Sequence, residues 1–136
     1  MADPQTDDER LVVDFFTVLS SGDLERLRGM LTPDASWTVM VREVPGAGVH
    51  SGRDTIIDEF LAPVRGLFED GDPKVQVNSL VSRPGFVMAE TVAKGRLRDG
   101  RTYDNRYCWG IETEGGKIKA LREYMDSHYI VTLFGS

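Results

Sequence analysis

The sequence predicts an α+β fold in which a strongly curved, mostly antiparallel sheet wraps around three N-terminal helices. Before Asp70-Gly71-Asp72-Pro73 most apolar residues recur at helical spacing, whereas after it they alternate at a period of two. Glycine-containing turns separate the alternating segments, which is typical of an antiparallel meander. Helices followed by consecutive strands indicate the α+β class.

The first two helices are predicted from the residues at their ends. Thr6-Asp7-Asp8-Glu9 has the form of a capping box, with carboxylates where the helix dipole favours them. Apolar residues follow at helical spacing until Gly22, which ends the helix. Asp23 can cap a second, shorter helix that ends before Pro33, so the two helices should form an antiparallel hairpin.

One strand and a third helix are predicted next. Residues 35–42 are rich in β-branched and aromatic types, which favours a strand, and Pro45-Gly46-Ala47-Gly48 should form a loop. Ser51-Gly52-Arg53-Asp54 opens the third helix. Pro63 lies inside its apolar pattern, so we expect a kink or break near Ala62.

The rest of the chain is predicted to be strand. The four alternating segments cover residues 74–82, 86–97, 102–113 and 117–129. The turns between them contain Gly85, Asp99-Gly100 and Gly115-Gly116. Because no linker or repeat interrupts this order, residues 1–136 are expected to form a single domain.

Composition narrows the class of function. The chain of 136 residues has a net charge of −6, which argues against nucleic acid and anionic membranes as partners. Its acidic N-terminus is unlike a signal peptide, and no apolar stretch approaches the roughly 18 residues of a membrane span. We therefore expect a cytoplasmic protein that handles small molecules.

Cysteine and motif content argue for cofactor-free chemistry or none. The lone Cys108 cannot form an internal disulfide, and its place in a strand favours an inert thiol over a nucleophile. The sequence contains no Cys/His ligand spacing, phosphate-binding loop or nucleophile elbow. No metal and no cofactor are expected.

Two predicted strands carry the candidate pocket. Residues two apart share a face, so Tyr103, Asn105, Tyr107 and Trp109 line one side of their strand. On the last strand, one face would carry Ile118, Ala120, Arg122, Tyr124, Asp126 and His128. Polar groups set in an aromatic wall are typical of a small-molecule pocket.

Three titratable residues are the candidates for catalysis. Asp126, desolvated beside aromatic rings, would acquire a pKa suited to general acid or base work. The alternative is a carboxylate satisfied by Arg122. His128 could orient Asp126, or it could be an ordinary exposed strand-end histidine. Glu90 could be the second catalytic carboxylate or a structural one held by a basic partner.

The pocket-wall candidates also have structural alternatives. Asn105 and Tyr107 could donate hydrogen bonds to a carbonyl or developing oxyanion, or they could tie their strand to its neighbours. Trp109 and Trp37 could form pocket walls or could simply be core residues.

The order of elements and short motifs resembles the nuclear transport factor 2-like superfamily, and within it the SnoaL-like, ketosteroid-isomerase-related proteins. The motifs that carry this resemblance are Ser21-Gly22-Asp23-Leu24, Asp34-Ala35-Ser36-Trp37, Ser51-Gly52-Arg53-Asp54, Met88-Ala89-Glu90, Tyr103-Asp104-Asn105-Arg106-Tyr107, Gly116-Lys117-Ile118 and Arg122-Glu123-Tyr124-Met125-Asp126. The resemblance implies a cone-shaped sheet closed by helices around a ligand cavity. It also implies a homodimer through the outer sheet face, where Leu121, Glu123 and Met125 would need a cover.

The catalytic groups of two related enzyme types do not carry over. Where ketosteroid isomerases place a tyrosine on the first helix, this chain has Phe15, and their base and acid positions fall at Thr38 or Val39 and at Cys108 or Trp109. Of the aspartate–arginine–aspartate trio of limonene epoxide hydrolases, Asp126 alone matches. The resemblance is therefore more informative about fold than about chemistry.

Two hypotheses of function follow. The first is a cofactor-free enzyme acting on a small apolar oxygenated molecule through Asp126, Glu90 and His128, as an isomerase, cyclase, dehydratase or hydrolase. The second is a non-catalytic ligand-binding or stress-associated module. In both, the expected ligand-binding residues are Phe15, Trp37, Asn105, Tyr107, Trp109, Arg122 and Tyr124.

Overall fold

The computed structural model describes residues 2–135, which form four helical segments and six strands. The helices are α1 (Asp7–Ser21), α2 (Leu24–Arg28), α3 (a π-helical stretch Thr55–Leu61 followed by the α-helical turn Ala62–Arg65) and α4 (Ser127–Phe134). The strands are β1 (Leu31–Val39), β2 (Gly48–Ser51), β3 (Lys74–Arg83), β4 (Phe86–Arg96), β5 (Thr102–Glu114) and β6 (Lys117–Met125).

The strands form one curved, open sheet in the order β2-β1-β6-β5-β4-β3. All neighbours pair antiparallel except β1 and β6, which are parallel. The concave face packs on α1 and α3, and the buried core lies between them. The predicted α+β class with a mostly antiparallel sheet is confirmed.

Thr6 caps α1 as predicted, but the returning bond of the capping box goes to Gln5 instead of Thr6, and Glu9 also ties α1 to the sheet. The Thr6 hydroxyl accepts a hydrogen bond of 3.1 Å from the Glu9 backbone N–H. Glu9, only 6% exposed, accepts from the Gln5 backbone N–H and from the Ser82 hydroxyl of β3. These bonds lower the pKa of Glu9, the Ser82 hydroxyl most of all. Gly22 ends α1 in the left-handed conformation, at φ +80°.

Strand β1 begins earlier than predicted, at Leu31, and ends at Val39. Pro33 is tolerated because the pairing with β6 is irregular between Leu31 and Ser36, where no ladder donor is required. A strand that was not predicted, β2, runs from the end of the predicted loop at Gly48 to Ser51. It is an edge strand that pairs antiparallel with the second half of β1.

The third helix changes type where a kink was predicted. The Ala62 N–H donates to the Ile57 carbonyl, five residues earlier, and regular α-helix begins there. Pro63 sits in the first turn of that α-helical segment, where its missing N–H costs little. Within residues 2–135, no helix combines the length and apolarity needed to cross a membrane.

A bulge in β6 decides which residues face the core. Opposite β5, Glu112 pairs with Ala120 whereas Thr113 pairs with Ile118, so Lys119 is an extra residue. An extra residue reverses the alternation, because side chains point to opposite faces at a period of two. Ile118 is buried before the bulge, and Leu121 and Glu123 are buried after it.

The predicted strand 117–129 stops early. It ends at Met125, and Asp126 caps α4 by accepting a 3.1 Å hydrogen bond from the Tyr129 N–H. Helix α4 packs Ile130, Leu133 and Phe134 against a second apolar cluster that contains Tyr103 and Phe68.

Candidate active site

A cavity of about 630 Å³ lies between the concave sheet face, the 40–47 loop, α3 and α4. Most of its lining is apolar, including Val39, Val44, Phe60, Val64, Met125 and Phe134. Four titratable side chains that the sheet strands contribute also line it, and these are His50, Tyr103, Tyr107 and Glu123. The volume is in the range of pockets that enclose small organic molecules.

Glu123 is the one carboxylate of the sheet that lies against this cavity. The side chain is 8% exposed, and its Oε1 accepts a 2.8 Å hydrogen bond from Trp37 Nε1. Burial raises the pKa of Glu123 to about 7, although the Trp37 hydrogen bond opposes the rise. Near neutral pH the carboxyl group is therefore present in both its acid and base forms.

The register of the sheet holds Glu123 in this place. It lies opposite Val39 of β1 and Trp109 of β5, in the middle of the sheet. The Trp37 indole, itself 2% exposed, packs edge-to-face on both Trp109 and Phe60. A third ring, that of Phe15, also contacts Trp37. These three aromatic contacts hold the indole that donates to the carboxyl group in place.

Two tyrosines of β5 form a hydrogen-bonded pair in the same cavity. The hydroxyls of Tyr103 and Tyr107, which lie four residues apart on the same face of β5, bond to each other. Burial raises the pKa of Tyr103 to about 12 and that of Tyr107 well above the ordinary tyrosine value, and the nearby Glu123 charge adds to both shifts. Both hydroxyls are therefore protonated at neutral pH.

Asn105 lies between the two tyrosines on the same face and is 2% exposed. Its Oδ1 accepts from the Arg106 backbone N–H, but its buried Nδ2 has no hydrogen-bond partner within residues 2–135. The proximity of the amide side chain lowers the pKa of both tyrosines and so opposes the effect of burial. Asn105 is not among the residues that line either cavity, so the Nδ2 group is a buried donor behind the tyrosine pair.

Asn105→Leu should change the free energy of unfolding by no more than about 1 kcal/mol, because it removes an unsatisfied polar group with little change of volume. Urea unfolding of the two proteins at one pH measures the difference. Trp109→Phe serves as the comparison and should lower the free energy of unfolding by more, because Trp109 Nε1 donates a 2.9 Å hydrogen bond to the buried Thr91 hydroxyl. A loss above about 2 kcal/mol for Asn105→Leu would show that Nδ2, and not only Oδ1, is bonded in the fold.

A smaller cavity of about 90 Å³ adjoins the first one behind Tyr107 and Glu123, which line both. Its remaining walls include Trp37, Trp109, Thr91 and Ala93. This annex gives the region around the carboxyl group additional space on the side of the core.

The 40–47 loop covers one side of the main cavity and is held by His50. The His50 ring stacks on Phe60 at 4.1 Å between centroids, and its Nε2 makes a 2.7 Å hydrogen bond with the Gly46 carbonyl. Gly46 adopts φ +85°, and a side chain there would come within 3.2 Å of the Phe60 ring. A glycine is thus required where the loop crosses this ring.

The Glu123 carboxyl group and the two tyrosine hydroxyls together can exchange a proton with a molecule bound in the cavity. A carboxyl group that titrates near neutrality faces an apolar cavity that also holds two protonated phenols. Within the described residues, no group of three His, Cys, Asp or Glu side chains is placed to hold a metal ion.

Comparison with models of known protein families shows which family this chain belongs to. The family model described as a SnoaL-like domain matches residues 12–121. The chain belongs to the SnoaL-like domain family. No curated protein matches it. The resemblance drawn from the sequence motifs is confirmed.

Solved structures share this SnoaL-like fold at low sequence identity. Bal32a, from a soil-derived mobile gene cassette, is 24% identical with a TM-score of 0.82, covering 96% of this chain and 97% of its own. TerC, co-crystallised with polyporic acid, is 17% identical with a TM-score of 0.80 and coverages of 94% and 98%. A putative SnoaL-like polyketide cyclase from Jannaschia sp. CCS1 is 15% identical with a TM-score of 0.79 and coverages of 100% and 96%.

The structure of this SnoaL-like domain brings some of the sequence-predicted residues together. Tyr107 lines the main cavity, and Trp37 and Trp109 line the annex. Asn105 is buried on the same face. Phe15 is fully buried in the core against Phe16 and Trp37 and lines neither cavity, so its predicted place in the pocket wall is wrong.

The three candidates for catalysis lie elsewhere. Asp126 is exposed and caps α4, so the expectation that its carboxyl group faces the cavity is wrong. His128 is exposed in the first turn of α4. Glu90 is exposed on β4, opposite Ser79 and Cys108 on the outer face of the sheet.

Arg122 and Tyr124 also point away from the cavity, because the bulge at Lys119 moves them to the outer face. Arg122 pairs with Glu112 at 2.6 Å, and Tyr124 is 44% exposed. The same shift brings Glu123 inward, whereas the sequence placed it on the outer face.

Glu123 is the candidate site residue that the sequence reasoning missed. The available signal was its phase, since Leu121 and Met125 are apolar and Arg122 and Tyr124 are polar or amphipathic. A carboxylate in phase with the apolar residues of a strand is a candidate for burial at a site.

Proposed function

We propose that this protein is a cofactor-free acid/base catalyst that moves a proton on a small, mostly apolar, oxygenated molecule. Glu123 is the group that takes up and returns the proton. The Tyr103–Tyr107 pair holds the substrate oxygen. The observation that carries the proposal is the buried Glu123 carboxyl group, which is bonded to Trp37 and lines the main cavity.

Glu123 has the properties that a general base requires. Burial raises its pKa to about 7, so a large fraction is ionised at neutral pH, while its proton affinity exceeds that of an ordinary carboxylate. The mostly apolar lining lowers the local dielectric constant and so strengthens the interactions of Glu123 with a bound substrate.

The tyrosine pair supplies one free hydroxyl proton. Two hydroxyls carry two protons, and their mutual hydrogen bond uses one of them. The other can be donated to a carbonyl oxygen, whose negative charge grows when a neighbouring carbon loses its proton. Asn105 Nδ2 is a second donor without a partner in the described chain, placed beside the same hydroxyls.

Related structures support a small organic ligand. TerC was co-crystallised with polyporic acid, and the Jannaschia protein is described as a putative polyketide cyclase. Both likenesses are at the level of the fold, so they support the class of molecule and not its identity.

Exchange of hydrogen for deuterium tests the proposal without knowledge of the natural substrate. The protein is incubated in D₂O with 2-tetralone, an apolar ketone with acidic α-protons, and deuterium uptake is followed by NMR. We expect uptake well above the buffer rate. Binding of such ketones with no accelerated exchange would favour the alternative, a non-catalytic ligand-binding module.

Replacement of Trp37 by phenylalanine should move the pH dependence of exchange upward. The indole N–H stabilises the ionised carboxyl group, so its loss raises the pKa of Glu123 further, by about one to two units if the bond follows charged hydrogen bonds elsewhere. The base is active when ionised, and the rising limb of the rate–pH profile should therefore shift to higher pH. Trp109→Phe, which removes an indole bonded to Thr91 instead, should leave the midpoint in place.

We also propose that the protein is a cytoplasmic homodimer that associates through the outer sheet face. Val81 and Tyr124 are exposed apolar or amphipathic residues on that face, 66% and 44% exposed respectively. Sedimentation at micromolar concentration should show a dimer, and Val81→Lys should shift it toward monomer. A monomer at all concentrations would contradict this.

A further inference from the structure

The ionisable side chains that line the main cavity carry mostly negative charge. Its described lining residues include the carboxylates Glu123 and Glu59 and the imidazole of His50, but no lysine or arginine. Arg65 lines only the smaller annex, where its guanidinium donates to the Leu19 carbonyl. Glu59 is exposed on α3, so its charge lies at the rim. An anionic ligand would meet negative potential at the rim and again inside, whereas a cation would be attracted at both places.

The Glu123 carboxylate has unused capacity to accept hydrogen bonds. Trp37 Nε1 donates to Oε1, and no group within residues 2–135 donates to Oε2. A carboxylate offers about four acceptor sites, so most of them are available to a ligand. The missing partner of a buried carboxylate is ordinarily a cation.

The walls around the carboxylate also suit a cation. The rings of Phe60, Phe68, Tyr103, Tyr107 and Phe134 line the same cavity. Aromatic faces attract ammonium groups through their quadrupoles, and they also pack against the apolar part of the ligand.

From these observations we infer that the main cavity binds lipophilic amines, with the ammonium group paired to Glu123 Oε2 and the apolar body against the aromatic rings. The inference goes beyond the proposed proton transfer. It requires Glu123 to face the cavity and does not require turnover, so an amine could be a substrate or a competitive ligand.

The pH dependence of this binding has a defined sign. Alkylammonium groups stay protonated up to about pH 10, as lysine does. The carboxylate that receives them is lost as the pH falls through about 7. The other titratable or charged groups around it are the tyrosine pair of β5, neutral over this range, His50 of β2, Glu59 of α3 and, across the adjoining annex, Arg65 of α3. Amine affinity should therefore fall toward acid pH.

Three probes of one shape test the inference. Calorimetry at pH 8.0 and pH 5.5 compares 1-naphthylmethylamine, 1-naphthalenemethanol and 1-naphthoate, which are cationic, neutral and anionic. In the native protein at pH 8.0 the amine should bind about tenfold more tightly than the alcohol, as expected for one charge-assisted contact. The naphthoate should bind least, and the gap between amine and alcohol should close at pH 5.5.

Glu123→Gln and Glu90→Gln form the matched pair of variants. Both remove one negative charge, but Glu90 lies on the outer face, so only Glu123→Gln should abolish the preference for the amine. Equal binding of amine and alcohol to the native protein, a preference that survives Glu123→Gln, or no binding of any probe would overturn the inference. Because the readout is affinity, absence of deuterium exchange from 2-tetralone would contradict the proposed catalysis and leave this result standing.

Discussion

Glu123→Gln is expected to lower the rate of deuterium exchange into a bound ketone by about 10²- to 10⁴-fold, the usual contribution of a positioned general base. Glutamine keeps an oxygen that can accept from Trp37 Nε1, so the aromatic contacts around the site should be preserved. What it loses is the ability to take a proton. The measurement is the exchange rate of 2-tetralone at saturating ketone, followed by NMR at pH 8.

Asp126→Asn and Glu90→Gln are the controls for this result. Asn is as good a helix cap as Asp, so the first variant should keep α4 in place while it removes the carboxylate. The second removes an exposed carboxylate from the outer face. Both should retain the native exchange rate. An undiminished rate in Glu123→Gln, or a collapse in Asp126→Asn, would transfer the base assignment away from Glu123.

Most of the fold could be predicted because the residues that begin and end its helices act through local backbone interactions. Thr6, Gly22 and Asp23 mark helix ends through backbone hydrogen bonds and a left-handed φ that few other residues would satisfy. The face of β5 was also predictable, because residues 103–111 contain no bulge and the period of two holds throughout. Tyr103, Asn105, Tyr107 and Trp109 therefore share the face assigned to them.

The site itself depended on one extra residue. Lys119 is the extra residue of a bulge in β6, and nothing in the sequence marks its position. The apolar phase of Leu121 and Met125 after it was the available signal, but Ile118 before it belongs to the opposite phase. Because the alternation was continued unbroken from Ile118, the predicted pocket contained Arg122 and Tyr124, and Glu123 was assigned to the outer face. A local error of register thus changed which carboxyl group was predicted to face the cavity.

Helix α4 was missed although its signal was present. Asp126 was assigned to a strand on the basis of alternation with Tyr124 and His128, yet Ile130, Leu133 and Phe134 recur at helical offsets. An Asp directly before such a pattern is typical of an N-cap. If Asp126 had been assigned as the N-cap, its carboxyl group would have been expected to accept from backbone N–H groups. Another carboxyl group would then have been sought for the cavity.

The second large effect concerns stability and pH. The buried Glu123 should make the native protein less stable as the pH rises, by about 3 kcal/mol between pH 4 and pH 8, since each pKa unit corresponds to about 1.4 kcal/mol. Its pKa is higher in the folded than in the unfolded state, so folding favours the protonated form. This stabilisation is complete below the ordinary value of 4.5 and is lost as the pH rises through about 7.

Other groups titrate in the same range, so the effect is isolated by difference. The pKa of Glu9 is lowered by its bonds to Ser82 and Gln5, so Glu9 stabilises the fold above its ordinary pKa and opposes Glu123. The free energy of unfolding of Glu123→Gln minus that of the native protein cancels such terms and should rise by about 3 kcal/mol from pH 4 to pH 8. Urea unfolding at several pH values provides both quantities. A difference that does not change with pH would mean that the Glu123 carboxylate is already solvated or paired in the native state, and the raised pKa on which its role as a base depends would be lost.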